Sequence, residues 1–558
     1  MAVTRSRASG FVLSGLLTGA CSGEGIPGGE ATSHDPGTTT SATSESTTTG
    51  PTTSATSVDT SGATPGTTAE TTTTSTSTSA TGLTTIDTEV GTTEAATTEA
   101  ATTTETSSTE TDATTGGVGG CQGPSDRDEA WSRSAGAPDR SLRAQHLAVD
   151  HTGAVVLSDR FRGALDLGGG ALDGGSSDSY RFLVKYDGHC EHAWSLALGG
   201  EQADLVEFAL AVDPAGDVVI AGSFYGAIAL GETTLEATFG VDVIVDVIEL
   251  TTDLFVAKFS PEGQLLWARR FGDDAYQRAH DVATTSSGSI IVVGGVRGSF
   301  DLGGAPVVAG DRYDGLLAEF DADGELAWHK TFGAATDVGV FEVDVSAGGL
   351  ISIGGGAGSG VDFGGGPLAV DGDTYEYYAQ FEPTGEHRWS RRFLAGHDPR
   401  GLSADDAGAV HVTGEYKLSP EDPTDVFVAR LDAAGNLAWT RQGGAQEVAR
   451  GLDVAVAPGG DAVIVGTFRG SLDLGDGPLV APSGNVDMFV ARYGADGALH
   501  SSLQVTGSES ARVEPYAIRF GPGGERVVAG SFRGAVDLGP GPMEAIGKSD
   551  LFVHRAAP

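Results

Sequence analysis

From about residue 146 onward the apolar positions fall in short runs of strand length, broken by Gly, Asp, Pro and Ser. The stretch from Phe208 to Gly272 shows the unit. Ala209-Leu210-Ala211-Val212-Asp213 leads into the turn Pro214-Ala215-Gly216, and Asp217-Val218-Val219-Ile220-Ala221-Gly222-Ser223-Phe224 follows. Asp253-Leu254-Phe255-Val256-Ala257-Lys258-Phe259 comes next, then the turn Ser260-Pro261-Glu262-Gly263 and the run Gln264-Leu265-Leu266-Trp267-Ala268-Arg269-Arg270. The runs are β-branched or aromatic and partly alternating, with turn residues between them, which predicts four antiparallel strands. None of the repeats has a helical period with caps.

The unit recurs. All six tryptophans, Trp131, Trp194, Trp267, Trp328, Trp389 and Trp439, sit on its fourth strand, and His500 takes that place in one further copy. Spacings of this size mark a repeat architecture, in which each unit buries its faces against its neighbours. Four antiparallel strands in about 60 residues is the blade of a β-propeller. The sequence therefore predicts an all-β, seven-bladed β-propeller, with blades beginning near His146, Phe208, His280, Phe341, Leu402, Leu452 and Tyr516. The last copy ends in Asp550-Leu551-Phe552-Val553-His554-Arg555, a third strand without a fourth. The missing strand is expected at residues 130–136, Ala130-Trp131-Ser132-Arg133-Ser134-Ala135-Gly136, which precede the first blade. The two chain ends then complete one blade and leave no open edge.

The same layout puts Cys190 in the turn between the third and fourth strands of blade one, and Cys121 just before the closing strand of blade seven. A Cys121–Cys190 disulfide across the ring seam is expected, with two free thiols as the alternative.

Composition changes sharply before that point. Residues 1–20 carry Arg5 and Arg7, then the apolar run Phe11 to Leu17, and read as a signal peptide. Thr18-Gly19-Ala20-Cys21 resembles a bacterial lipobox, which makes Cys21 the expected lipidation site, with Thr18 where Leu is usual; cleavage nearby, leaving a soluble secreted protein, is the alternative. Residues 21–120 are Thr/Ser-rich with almost no large apolar side chain. They are expected to form a disordered linker, and residues 121–558 the propeller. With 33 basic and 76 acidic residues the net charge is -43, and no basic tract is present to bind nucleic acid.

The second strand ends in a repeated phrase. It reads Phe161-Arg162-Gly163-Ala164-Leu165-Asp166-Leu167-Gly168, and it returns from Val296 to Gly303, Phe468 to Gly475 and Phe532 to Gly539. Together with the Asp-Xaa-Phe-Val-Ala-Arg/Lys and Gly-Xaa-Leu-Xaa-Trp strands, it resembles the repeats of bacterial cell-surface seven-bladed β-propeller lipoproteins. Blade five departs, with Lys417-Leu418-Ser419-Pro420 in that place, and blade two has Ala229 where Asp is usual. The resemblance implies display at the cell envelope, outer membrane or cell surface. It also implies a non-catalytic binding or scaffold role, and it supplies no catalytic residues.

Several constellations are candidate sites. The tryptophans are expected to wedge between blades, two residues after Leu on the same sheet face. The Arg-Gly phrase reads as a Gly bulge with local Arg–Asp pairing. No cofactor is expected: turns such as Asp321-Ala322-Asp323-Gly324 hint at calcium, but they lack the ligand count of a calcium loop and read as ordinary hairpin turns. His189-Cys190-Glu191-His192 lacks a second pair of metal ligands. Arg143, Arg278, Arg400 and Arg450, with His146 and His280, lie where inner strands approach the channel, and form the candidate ligand rim for an anion or sugar. Pairing with Glu207, Asp281 and Asp453 is the alternative. The alternating segment Val241 to Leu250 predicts an extra strand or an extended hairpin on blade two. Expected partners are a surface ligand, glycan or envelope protein, with the membrane met only through the lipid anchor. The alternative function is a propeller enzyme: a lyase, a hydrolase or a quinone-dependent dehydrogenase.

Overall fold

A computed structural model describes residues 118–557 apart from 124–129, 177–179, 245–246, 305, 369–374, 418 and 420–421. The signal segment, Cys21 and the Thr/Ser-rich stretch lie outside the described residues. No helix occurs among the described residues.

Seven antiparallel sheets form the ring. Blade one runs from its inner strand outward as His146–Val149, Val155–Phe161, Tyr180–Tyr186 and His192–Gly199. The inner strands of blades two to seven are Asp204–Val212, Gln277–Thr284, Gly339–Val345, His397–Ala404, Val448–Val456 and Arg512–Phe520. Each packs against the next, and the last packs against the first, so the circle is closed.

Blade seven is completed from the other end of the chain. Trp131–Ala135 pairs antiparallel with Asp550–Ala556, Trp131 opposite Arg555 and Ala135 opposite Leu551. This is the closure that the offset between the first Trp and the last strand implied. The structure adds a strand that was not expected. Val118–Gln122 pairs outside Trp131–Ala135, so this blade has five strands rather than four. The repeated Arg-Gly phrase forms short outer hairpins, such as Ser471–Asp473 with Pro478–Val480, which lies on the last strand of the preceding blade. Its Asp accepts the N–H two residues on, as Asp166 does from Gly168 at 2.8 Å, and so caps its own turn. The predicted hairpin of blade two is Val241–Ile244 with Val247–Leu250, a separate two-stranded sheet.

The core lies between blades rather than within one. Trp131, Leu551 and Val553 of blade seven pack with Val155, Leu157 and Val184 of blade one. The middle strands are therefore covered on both faces, which is why Asp253–Phe259 is buried throughout and lacks alternation. The tryptophans work across these joints. A Cβ at Gly263 would lie 2.7 Å from the Trp194 ring, and the Trp194 indole N–H donates to Pro261 O at 2.8 Å. The rings of Trp267, Trp389 and Trp439 lie against Gly324, Gly435 and Gly497 of the following blade likewise, although the Trp389 N–H donates to Gln380 of its own blade. Gly263 has φ +82°, a conformation that favours glycine, and a Cβ there would press into the indole above it.

In blade one the equivalent turn position is Cys190, at φ +72°. Cys190 shares a core cluster with Trp131, and its side chain is bonded to Cys121, with Cα atoms 6.1 Å apart. Across a separation of 69 residues, such a bond stabilises the fold by roughly 2–4 kcal/mol. Reduction and alkylation should therefore lower the melting temperature by a few degrees and block two thiols on the described ring, as read by intact mass.

Candidate functional site: the central channel

The inner strands surround a cavity of about 480 Å³, and all seven blades contribute to its wall. Side chains along a strand alternate in direction, so residues two apart face the same way. His146, Asp281, Glu342 and Asp453 occupy equivalent places on strands one, three, four and six, opposite Ser158, Val293, Gly354 and Val465. Asp344 and Arg519 lie two residues further along their own strands and line the same cavity.

Three of these carboxylates bind backbone across the blade joints. Asp281 accepts from Val343 N at 2.9 Å, and Asp344 from Ala404 N at 2.8 Å. Asp453 accepts from Ile518 N at 2.8 Å and from the Arg519 guanidinium at 2.7 Å. In each pair the acid belongs to one blade and the N–H to the inner strand of the next. Glu342 makes no such bond. Burial, with Asp281, Asp453 and Glu376 nearby, pushes its carboxyl from 4.5 up to about 8, against the pull of Arg400. Burial also raises Asp281 to about 6. It pushes the His146 imidazole down to about 3, helped by Arg181 and Arg519.

The predicted rim is not brought together as one set. His146 and Arg400 line the cavity; Arg143, Arg278, His280 and Arg450 stand back from it. Arg143 lies 6.0 Å over the Tyr516 ring, and Arg278 5.2 Å from the Tyr276 ring. Arg400 and Arg450 converge on Glu415, at 2.7 and 3.3 Å. His280 Nδ1 meets Val340 O at 2.8 Å, another link to the next blade. Pairing with an acid therefore accounts for Arg400 and Arg450, through Glu415, while Asp453 pairs with Arg519. Arg519, Glu342 and Asp344 do not stand out in the sequence. Aligning the first strands on their turns and reading every second residue would find them.

At the other candidate positions the acids serve local structure. Asp321 accepts from Asp323 N and Glu325 N at 3.0 and 2.9 Å and so shapes its own turn. Cys190 is committed to its disulfide. Among the described residues no three His, Cys, Asp or Glu side chains group as metal ligands.

No family model matches the chain, and neither does any curated protein. Solved propellers do. The WD40 domain of Pan2 from Neurospora crassa is 11% identical, with TM-score 0.40, over 80% of this chain and 97% of that one. The β-propeller domain of the Trilobed protease from Pyrococcus furiosus is 7% identical, with TM-score 0.36, over 74% and 94%. XC5397 from Xanthomonas campestris, a gluconolactonase, is 14% identical, with TM-score 0.28, over 61% and 90%. At these values the likeness carries no argument about activity.

Proposed function

We propose that the chain is a non-catalytic binding or scaffold protein of the cell envelope, held by a lipid on Cys21 and displaying its propeller on the Thr/Ser-rich segment. The observation that carries this is the use made of the channel acids. Asp281, Asp344 and Asp453 spend their acceptor capacity on the backbone of the next blade. Groups tied into the scaffold in this way suit a rigid display platform. The disulfide at the seam fits an oxidising compartment. Partners of the expected class are glycans or envelope proteins; the charge of -43 disfavours nucleic acid.

The perturbed Glu342 and Asp281 support a second reading, a hydrolase or lyase, because shifted carboxylates collect at catalytic sites. One experiment separates the two. The full chain, immobilised, is challenged with envelope fractions and soluble glycans, and the eluate and supernatant are analysed for bound and altered material. Retention without chemical change is the expected result. Turnover that disappears in Glu342→Gln would replace the binding reading with the catalytic one.

A further inference from the structure

The acids of the channel are not all employed alike. Asp281 and Asp453 each accept an N–H from the inner strand of the next blade, at Val343 and Ile518. Glu342 holds the same place in blade four, and the N–H in line for it is that of Leu402. Blade four makes its joint two residues further on instead. There Asp344 accepts from Ala404 N at 2.8 Å and from Ser403 Oγ at 3.2 Å. Glu342 is thereby released from the joint. It lines the cavity, and its carboxyl has no hydrogen bond or ion pair among the described residues. Neither of its oxygens is shut off from that space.

A second group is open on the far side. Arg519 belongs to blade seven, three places from blade four around the ring. Its Nη1 donates to Asp453 and to the carbonyl of Ile518. Nε and Nη2 have no partner among the described residues, and the side chain, which lines the cavity, is 47% exposed. Its charge acts on Asp281 and Asp344 of blades three and four, so the guanidinium leans across the channel. The other arginine of the wall, Arg400, is balanced by Glu415 at 2.7 Å, outside the cavity. What remains inside is the guanidinium of Arg519 against four carboxyls, those of Asp281, Glu342, Asp344 and Asp453.

We propose that the channel binds a basic α-amino acid of the lysine type, with its carboxylate on Arg519, its α-ammonium beside Asp344 and its side-chain ammonium on Glu342. This concerns a small molecule in the channel; it goes beyond the surface-partner reading above and does not depend on it. Charge selects the class. Acids in excess over one open guanidinium call for a ligand with more ammonium than carboxylate, and the guanidinium calls for one carboxylate. Among the described residues these acids do not group as metal ligands, so the counter-charge is organic. Length selects the member. Arg519 and Asp344 stand two residues beyond the level of Glu342, roughly 6–7 Å along strands that rise about 3.3 Å per residue. A four-carbon stem between an α-carbon and its ammonium covers that span. A cavity of about 480 Å³ has room for such a molecule.

The test uses the full chain and calorimetry with L-lysine, norleucine (no side-chain ammonium), cadaverine (no carboxylate) and L-glutamate. Lysine should bind about tenfold or more tighter than the other three. In Glu342→Gln its affinity should fall to that of norleucine, and in Arg519→Gln to that of cadaverine. Arg519→Gln also loses the bond to Asp453; if that variant does not fold, Glu342→Gln, which keeps the shape of the side chain, decides alone. A further readout is specific to the contact. Burial and the neighbouring Asp281, Asp453 and Glu376 keep a proton on Glu342 against the pull of Arg400. An ammonium takes over from that proton, so lysine binding at pH 7 should release about one proton, and binding to Glu342→Gln should release none. Titrations in buffers of different ionisation enthalpy measure it. The proposal is overturned if lysine does not bind in the millimolar range. It is overturned too if any of the other three binds as tightly as lysine, or if lysine affinity is unchanged in Glu342→Gln.

Discussion

A full chain lacking residues 118–136 is expected to melt roughly 5–10 °C below the intact chain and to self-associate. The deletion removes Trp131, which is fully buried against blade one, and the strand that pairs with Asp550–Ala556. Losing a buried Trp side chain alone costs about 3–5 kcal/mol. Losing Cys121 with it removes the disulfide, roughly 2–4 kcal/mol more. In a ring of this size each kcal/mol is worth about 1 °C of melting temperature. The exposed third strand of blade seven then offers unpaired N–H and C=O groups to other chains. Calorimetry with light scattering reads both effects. An unchanged melt would show that the ring does not depend on its N-terminal strand.

The second large effect is on the pH dependence of stability, and it comes from Glu342. A carboxyl whose folded pKa is about 8 against 4.5 unfolded binds its proton more tightly in the native state. Its contribution is fully present below pH about 4.5 and is lost as pH rises through 8, because the native state must then hold a buried charge. Every tenfold gain in proton affinity is worth about 1.4 kcal/mol, so a few kcal/mol are at stake. Asp281, raised to about 6, acts in the same direction over a lower window. Glu342→Gln should abolish most of the decline between pH 5 and 9 and be more stable than the parent at pH 8–9. Urea midpoints across that range provide the measurement. A variant that follows the parent at every pH would show that Glu342 titrates normally.

Much of the ring was legible because its signals are local. Runs such as Asp253 to Phe259, the turn glycines and the fourth-strand tryptophans each sit within one repeat, and the closing strand could be inferred by counting strands at the two ends. What escaped has physical reasons. Val118–Gln122 reads Val-Gly-Gly-Cys-Gln, with too few apolar side chains to announce a strand; its place is set by backbone pairing. Arg400 and Arg450 look like an open cationic rim in sequence, but their shared partner Glu415 lies on the second strand of blade five. Asp159 is inconspicuous until the second strands are superposed, when it falls where the other blades carry Gly222, Gly294, Gly355, Gly414, Gly466 and Gly530.

The bond between Cys121 and Cys190 has a mechanical consequence. More than a hundred residues precede Val118, and any tension on them reaches the ring at its outermost strand. Antiparallel edge strands peel one hydrogen bond at a time, so a pull there would unzip first Val118–Gln122 and then Trp131–Ala135. The disulfide diverts the load covalently into blade one before the second of these strands is reached. The joint where the two chain ends meet thus becomes the point through which a pull on the N-terminal segment passes into the ring.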